Sequence, residues 1–219
     1  MDEITTGTTT GVAVVVVAGG SGSRFAGPGT GPPAGRLAAK LTAPLGGSTV
    51  LGTLLAGLDA WSAPLGAPCP VVLAGPGGVP EEPPGGGPLA GFAAGLDALP
   101  APPPALVVLL GADQPFAASA VPRLLAALAA DPALDAVVGL DPDGRRQPLL
   151  SAHRLTAARR VLTGLPTVHH RPLRELFRGP VGEVAVSARE CLDVDDPADL
   201  RRAAAVLARR PEAGPGAAT

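Results

Sequence analysis

Large aromatic side chains are nearly missing from this sequence. The 219 residues include no tyrosine, one tryptophan and four phenylalanines. Apolar residues still make up 46% of the chain, so valine, leucine and alanine have to fill most of the core. Lysine is scarce as well, because Lys40 is the only lysine among 17 basic residues. A lysine kept where arginine is used everywhere else indicates a site that needs a compact point charge.

An excess of positive charge is also lacking. The net charge of −2 argues against the basic patch or stripe that marks nucleic-acid-binding proteins. The apolar run from Val12 to Ala18 is too short to span a membrane, and residues 1–10 lack the basic start of a secretory signal. The two cysteines, Cys69 and Cys191, are far apart and predict free thiols. We therefore expect a cytoplasmic protein that binds neither nucleic acid nor membrane.

What the chain does have is an alternation of Val/Leu-rich strands and amphipathic helices. This pattern predicts an α/β fold, with a mostly parallel sheet covered by helices on both faces. We expect residues 1–11 to be a flexible N-terminus, 12–209 to form one domain and 210–219 to be a disordered tail. Strands are predicted at 12–17, 70–74, 105–111, 135–140, 146–154 and 183–187, and helices at 48–61, 87–99, 117–130, after 154, and at 197–210.

Three loops follow predicted strands, at the edge where parallel sheets bind ligands. The first, AGGSGSRF at 18–25, can hold an anion with successive backbone N–H groups. It only half matches the dinucleotide fingerprint GxGxxG, because Phe25 stands in place of the third glycine, and it lacks the ending of a P-loop. The second loop leads to Glu81 and Glu82 before a glycine-rich helix start. The third carries Asp113, a carboxylate placed to hold Mg²⁺ beside substrate phosphates.

Taken together, AGGSGSR…K, GGGPLAG, GADQPF and LDVDDPADL resemble the MobA-like nucleotidyltransferases of molybdenum-cofactor maturation. The resemblance runs from Val12 to about Leu207. It implies a single Rossmann-like, three-layer domain of the nucleotide-diphospho-sugar transferase type. It also implies Mg²⁺-dependent transfer of a nucleotide from an NTP to a phosphate, with release of pyrophosphate. The stretches AGG and GPLAG resemble the guanine branch, so the expected partners are GTP and a molybdopterin-type acceptor, together with molybdoenzymes or cofactor carriers.

The same resemblance implies roles for individual residues. Arg24, Lys40 and Asp113 would be catalytic, with Lys40 on the triphosphate and Asp113 on the Mg²⁺. Asp193 and Asp195 would lie on the acceptor side. The residues that would bind the nucleotide, besides Lys40 and Asp113, are Val17, Ala18, Gly19, Gly20, Ser21, Gly22, Ser23, Glu82, Gly87, Pro88 and Leu89.

The chain departs from the family pattern after Arg24. The family has four residues between its motif arginine and lysine, whereas residues 25–39 intervene here, and we interpret them as a Gly/Pro-rich loop insertion. Ala39 replaces the aspartate that usually precedes the lysine. Ala74 replaces a polar residue that some relatives place near the base.

Other functions also fit the sequence. One is a cytidylyltransferase, or another NTP transferase acting on a different phosphorylated acceptor such as phospholactate or a sugar phosphate. Another is a non-catalytic nucleotide-binding relative in which the insertion has disabled transfer. A dinucleotide-binding oxidoreductase fits less well, because the third glycine and the acidic residue about 20 positions later are both missing.

Overall fold

A computed structural model describes residues 11–19, 25, 33–66 and 69–208, and these form the predicted α/β architecture. The strands are β1 (Val12–Val17), β2 (Pro44–Leu45), β3 (Ser48–Thr49), β4 (Val71–Ala74), β5 (Leu106–Gly111), β6 (Ala136–Leu140), β7 (Arg146–Arg154) and β8 (Val181–Ala185). The α-helices are α1 (Pro33–Leu41), α2 (Val50–Ser62), α3 (Pro88–Asp97), α4 (Val121–Ala130), α5 (Leu155–Thr163) and α6 (Pro197–Ala208). Short 3₁₀ helices cover Ala63–Leu65, Ala117–Ala120 and Leu173–Phe177.

Six strands form one sheet in the order β4-β1-β5-β7-β6-β8, and β2 pairs with β3 in a small hairpin. The pairs β1–β4, β1–β5 and β6–β8 are parallel, while β7 runs antiparallel to both β5 and β6. The sheet is therefore mostly parallel, as predicted. The carboxyl ends of β1, β4 and β5 meet at one edge, where Val17 is level with both Ala74 and Gly111.

Helices cover both faces because successive side chains on a buried strand point to opposite sides. Val14 and Val16 of β1 pack in the layer that contains α1, α2 and α4. Val15 and Val17 pack in the opposite layer, with α3 and α5. A third apolar cluster joins the β2–β3 hairpin to α6. The result is a three-layer arrangement in which helices cover both faces of the sheet.

The layer under α3 contains the most buried histidine among the described residues. His153 of β7 is 1% exposed and packs between the rings of Phe92 and Phe177, with centroids 5.6 and 5.4 Å away. Its Nε2 lies 2.9 Å from the hydroxyl oxygen of Ser151. Burial lowers the pKa of His153 to about 3. The ring is therefore a neutral core side chain that supports α3.

Local signals place several helix starts as expected. Gly52 N–H donates to the hydroxyl of Thr49, which caps α2. Pro88 occupies the first turn of α3, where a missing N–H has no intrahelical partner to lose. The preceding Gly87 has φ +89°, a conformation that favours glycine.

Two predictions need correction. The proposed loop insertion at 25–39 is helical from Pro33 onward, because Leu37 and Leu41 recur four residues apart and pack into the core after an N-terminal proline. The last strand lies at 181–185, two residues earlier than predicted. Residues 1–10, 20–24, 26–32 and 209–219 lie outside the described residues, so the predicted flexible start and tail stay predictions.

The two cysteines are free and half-buried. Burial is the main cause that raises the pKa of each thiol to about 11, which leaves both uncharged and unreactive near neutral pH.

None of the described helices is long and apolar enough to cross a membrane.

Candidate functional site

Lys40 lies between two aspartates at the carboxyl edge of the sheet. Its ammonium nitrogen Nζ is 2.7 Å from Oδ2 of Asp113 and 2.7 Å from Oδ1 of Asp195. Lys40 itself is only 4% exposed. With the neighbouring Asp193, these residues form a group that we call the lysine cluster. Three of the predicted functional positions are thus in direct contact, although they come from distant parts of the chain.

Different elements hold the members of the lysine cluster in place. Lys40 is in the last turn of α1, whose Leu37 and Leu41 are buried in the core. Asp113 follows β5, and its backbone carbonyl accepts a hydrogen bond from Val194 N–H at 2.9 Å. This bond ties the segment before α6 to the end of β5, and so brings Asp195 beside Asp113.

The charged groups of the lysine cluster shift each other's pKa values. Burial on its own lowers the pKa of Lys40, but the Asp113 and Asp195 carboxylates outweigh burial and raise the pKa above the ordinary lysine value. The pKa of Asp193 is raised, first by burial and then by repulsion from Asp195 and Asp113. The Lys40 ammonium is therefore paired with two carboxylates, so the groups in direct contact carry a net negative charge.

The oxygen atoms of the cluster suit a divalent metal ion. Asp113 and Asp195 each direct one oxygen at the same cationic nitrogen, so Lys40 stands in for a cation held by both. Mg²⁺ prefers carboxylate oxygens and usually takes one or two of them from the protein. Within the described residues, no three His, Cys, Asp or Glu side chains are grouped to hold a metal. A metal here would depend on this pair of carboxylates and on oxygens from a substrate.

The end of β1 lies beside the start of α3. Ala18 N–H donates to the carbonyl of Ala74, and a Cβ added to Gly19 would be 3.8 Å from Cγ of Pro88. At Gly75, with φ +117°, a Cβ would come within 2.4 Å of the carbonyl oxygen of Ala18, so only glycine fits this crossing. The predicted nucleotide-binding residues at 17–19 are therefore adjacent to those at 87–89. The predicted contacts Gly20, Ser21, Gly22, Ser23 and Arg24 lie outside the described residues.

The stretch 85–89 leads into α3, and we call it the glycine turn. Its position is fixed from outside by the loop after α5, since His170 N–H donates to the carbonyl of Gly86 at 2.6 Å. The ring of His169 packs against Gly86 so closely that a Cβ there would collide with Nδ1. The backbone of the glycine turn is thus held in place by the loop that contains residues 169–170.

Glu81 and Glu82 differ sharply in their surroundings. Glu81 is 8% exposed, and its Oε1 would lie 3.1 Å from a Cβ added to Gly91 in the first turns of α3. No hydrogen bond joins Glu81 to another described residue. Glu82, the predicted nucleotide contact, is exposed and lines a cavity of about 440 Å³ alongside Ala93 and Asp97 of α3. Sequence reasoning could not separate the two, because adjacent residues differ only in the direction that each side chain takes.

Sequence reasoning also missed the pairing of Asp195 with Lys40. We predicted Asp195 on the acceptor side, beside Asp193. The structure brings its carboxylate to the same ammonium as that of Asp113. The signal that could have found it is charge balance, because a nearly buried lysine next to a single carboxylate can accept a second anionic partner.

Comparison with known proteins is consistent with this geometry. The family model described as "MobA-like NTP transferase domain" matches residues 14–184. The comparison with curated proteins gave no match.

Solved structures share the fold. Rv0371c from Mycobacterium tuberculosis H37Rv is 22% identical, with a TM-score of 0.59, over 90% of this chain and 100% of that one; a complex of that protein with manganese matches at a TM-score of 0.53. Molybdopterin-guanine dinucleotide biosynthesis protein A from Archaeoglobus fulgidus is 20% identical, with a TM-score of 0.53, over 89% and 98%. The 2-C-methyl-D-erythritol 4-phosphate cytidylyltransferase from Thermus thermophilus is 23% identical, with a TM-score of 0.56, over 90% and 98%.

Proposed function

The chain belongs to the MobA-like NTP transferase family, and on that premise we propose that it transfers GMP from GTP to the phosphate of a molybdopterin-type acceptor. The observation that carries the proposal is the lysine cluster, which lies at the same sheet edge as the ends of β1 and β4. Nucleotidyl transfer needs little covalent chemistry from the protein. It depends on alignment of the reactants and on neutralisation of their charge.

In the proposed reaction, an oxygen of the acceptor phosphate attacks the α-phosphorus of GTP. The bond from that phosphorus to the oxygen bridging the α- and β-phosphates breaks, and pyrophosphate leaves with the electron pair. Residues 17–19 and the glycine turn border the base and the ribose. The predicted loop Gly20 to Arg24 would wrap the phosphates with backbone N–H groups and one guanidinium. Lys40 offsets the charge that develops on the departing pyrophosphate.

Asp113 and Asp195 are the residues that would hold the divalent ion, for which Mg²⁺ is the proposed identity. Such an ion supplies neutralisation of phosphate oxygens when bound. The converging carboxylate oxygens support this assignment, as does the manganese complex of the neighbouring Rv0371c. For Asp193, the proposed place remains the acceptor side of the site.

The preference for guanine rests on Glu81. A buried carboxylate accepts hydrogen bonds and donates none when ionised, so it suits a base edge with two adjacent donors. Guanine has such an edge, in its ring N–H and its neighbouring amino group, whereas cytosine presents an amino group next to acceptors. Glu81 is buried and close to the start of α3, which favours it over the exposed Glu82 as the acidic contact of the nucleotide.

A thermal-shift panel tests the choice of base. With Mg²⁺ present, GTP should stabilise the protein more than CTP, ATP or UTP at the same concentration, because a ligand stabilises the state that it binds. Release of pyrophosphate on addition of a molybdopterin acceptor then tests transfer itself. Selective stabilisation by CTP would replace the guanylyl proposal with a cytidylyl one, as in the Thermus neighbour. Binding of GTP without any pyrophosphate release would indicate a non-catalytic relative.

A further inference from the structure

Two cations, the Lys40 ammonium and the proposed divalent ion, are assigned to the same two carboxylates. Oδ2 of Asp113 and Oδ1 of Asp195 already accept hydrogen bonds from the ammonium of Lys40. A divalent ion held by these two carboxylates would need the same oxygens. Two cations that close repel each other strongly, and most strongly where little water reaches them. Lys40 at 4% exposure is in such a place.

We propose that Lys40 is a built-in competitor of the divalent ion for the carboxylates of Asp113 and Asp195, and that metal binding transfers its ammonium to the triphosphate. The inference rests on the proposed function, which supplies both the metal and the triphosphate. It goes beyond that function because it predicts how the two ligands affect each other. The protein should bind the ion weakly when nucleotide is absent and tightly when nucleotide is bound.

The lysine is the movable partner of the three. Its backbone is fixed, because α1 is anchored by buried leucines and Ala43 N–H donates to the carbonyl of Lys40. The ammonium, however, sits on a flexible four-carbon stem. The two carboxylates are on short side chains whose backbone is tied down, with Val194 N–H bonded to Asp113 and Asp195 N–H bonded to the Asp199 carboxylate at 3.0 Å. Rotation of the lysine stem breaks both of these hydrogen bonds.

Competition of this kind predicts coupled binding. A metal ion that arrives alone has to separate Lys40 from two carboxylates and leave the ammonium without an anionic partner. A triphosphate provides that partner, so GTP should raise the affinity for the ion, and the ion should raise the affinity for GTP by the same factor. The coupling should fall when the side chain at position 40 carries no charge, to the part that direct contact between the ion and the phosphate oxygens supplies.

The first test measures Mn²⁺ binding without nucleotide, by the electron paramagnetic resonance signal of the free ion. Lys40→Gln should bind Mn²⁺ at least about tenfold more tightly than the wild type, because a competing charge has been removed from the site. Arg160→Gln is the matched control. It also removes one positive charge, but its partner Asp135 lies at the amino end of β6, at the opposite edge of the sheet. Its Mn²⁺ affinity should equal that of the wild type.

The second test needs no variant, because Lys40 is the only lysine. Acylation of amines, quantified for the peptide that contains Lys40, reports the accessibility of this one side chain. Mn²⁺ at a concentration that saturates its site should speed the acylation of wild-type Lys40 several-fold. GTP added together with Mn²⁺ should slow the acylation again.

Equal or weaker Mn²⁺ binding by Lys40→Gln overturns the proposal, as does an acylation rate that bound Mn²⁺ leaves unchanged. Either result would be distinct from failure of the proposed function, which is read separately as pyrophosphate release from GTP by the wild type.

Discussion

The two halves of the candidate site handle buried charge in opposite ways. In the lysine cluster, carboxylates from distant segments are already bound to an ammonium. Beside the glycine turn, Glu81 is nearly as buried but makes no hydrogen bond to any described residue. In the proposed function, a ligand would displace an existing partner in the first half, whereas in the second it would bind a carboxylate that no described residue engages. If the two proposals hold, the first arrangement controls when a ligand binds, and the second controls which ligand binds.

The largest effect should come from breaking the lysine cluster. Asp113→Ala and Lys40→Ala should each lower kcat by about 10² to 10³ or more, because each removes a charge that acts on the reacting phosphates in the proposed reaction. Pyrophosphate release under saturating GTP and Mg²⁺ measures the loss, with Arg160→Gln as the active control. Near-normal turnover in either folded alanine variant would remove that residue from the mechanism.

A smaller effect should separate the two adjacent glutamates. Glu81→Gln should lower the preference for GTP over CTP by about 10- to 100-fold, the range expected for hydrogen bonds to a charged acceptor. Glu82→Gln is the matched control, since the same change is made one residue away on an exposed side chain, and it should stay within about twofold. Competition binding of GTP and CTP measures both variants. If the two results are exchanged, Glu82 is the nucleotide contact.

Some elements of the fold could be predicted from the sequence, and others could not. The strands predicted at 12–17 and 105–111 and the start of α3 follow from apolar runs and from Pro88, which are local signals, and the structure confirms them to within one residue. Helix α1 was missed because glycine and proline are frequent just before it, and they obscured the four-residue spacing of the leucines that it buries.

The site was predictable to a similar extent. Lys40 and Asp113 could be singled out by rarity and by position at a strand end. Their contact could not, because it depends on how α1 packs, and the approach of Asp195 depends on a backbone bond from Val194 to Asp113. The direction of Glu81 likewise depends on the path of the chain between β4 and α3. Contacts set by tertiary packing leave no pattern in one sequence.

Acid should lower the free energy of unfolding through His153, which lies in the layer under α3. The folded-state pKa of His153 is about 3, below its ordinary value of 6.5, so the unfolded chain binds the extra proton between these values. Stability is therefore present above about pH 6.5 and is lost as the pH falls, by about 1.4 kcal/mol per pH unit for one proton. Urea unfolding from pH 7 to pH 4 should show this additional slope in the wild type and not in His153→Gln. Equal slopes in the two proteins would contradict it.

The smallest effect should come from relieving repulsion in the lysine cluster without touching its ion pairs. Asp193→Asn removes a carboxylate that Asp195 and Asp113 repel. Asp193 is partly desolvated but still reaches solvent, which screens much of this repulsion, so we expect a rise in melting temperature of only about 1 °C at pH 7. Differential scanning calorimetry measures the shift, and a lower melting temperature would show that Asp193 makes a favourable contact instead.

The hydrogen bond from Val194 to Asp113 has a consequence for how the protein becomes active during its synthesis. Lys40 and Asp113 are 73 residues apart, whereas Lys40 and Asp195 are 155 residues apart. A ribosome releases the chain from its N-terminus, and early segments begin to fold first. Lys40 and Asp113 can thus pair while β6, β7 and β8 are still being made. The second carboxylate arrives only when residues 194–195 emerge, so a stalled or shortened nascent chain has the strands of the site but an incomplete place for its cation.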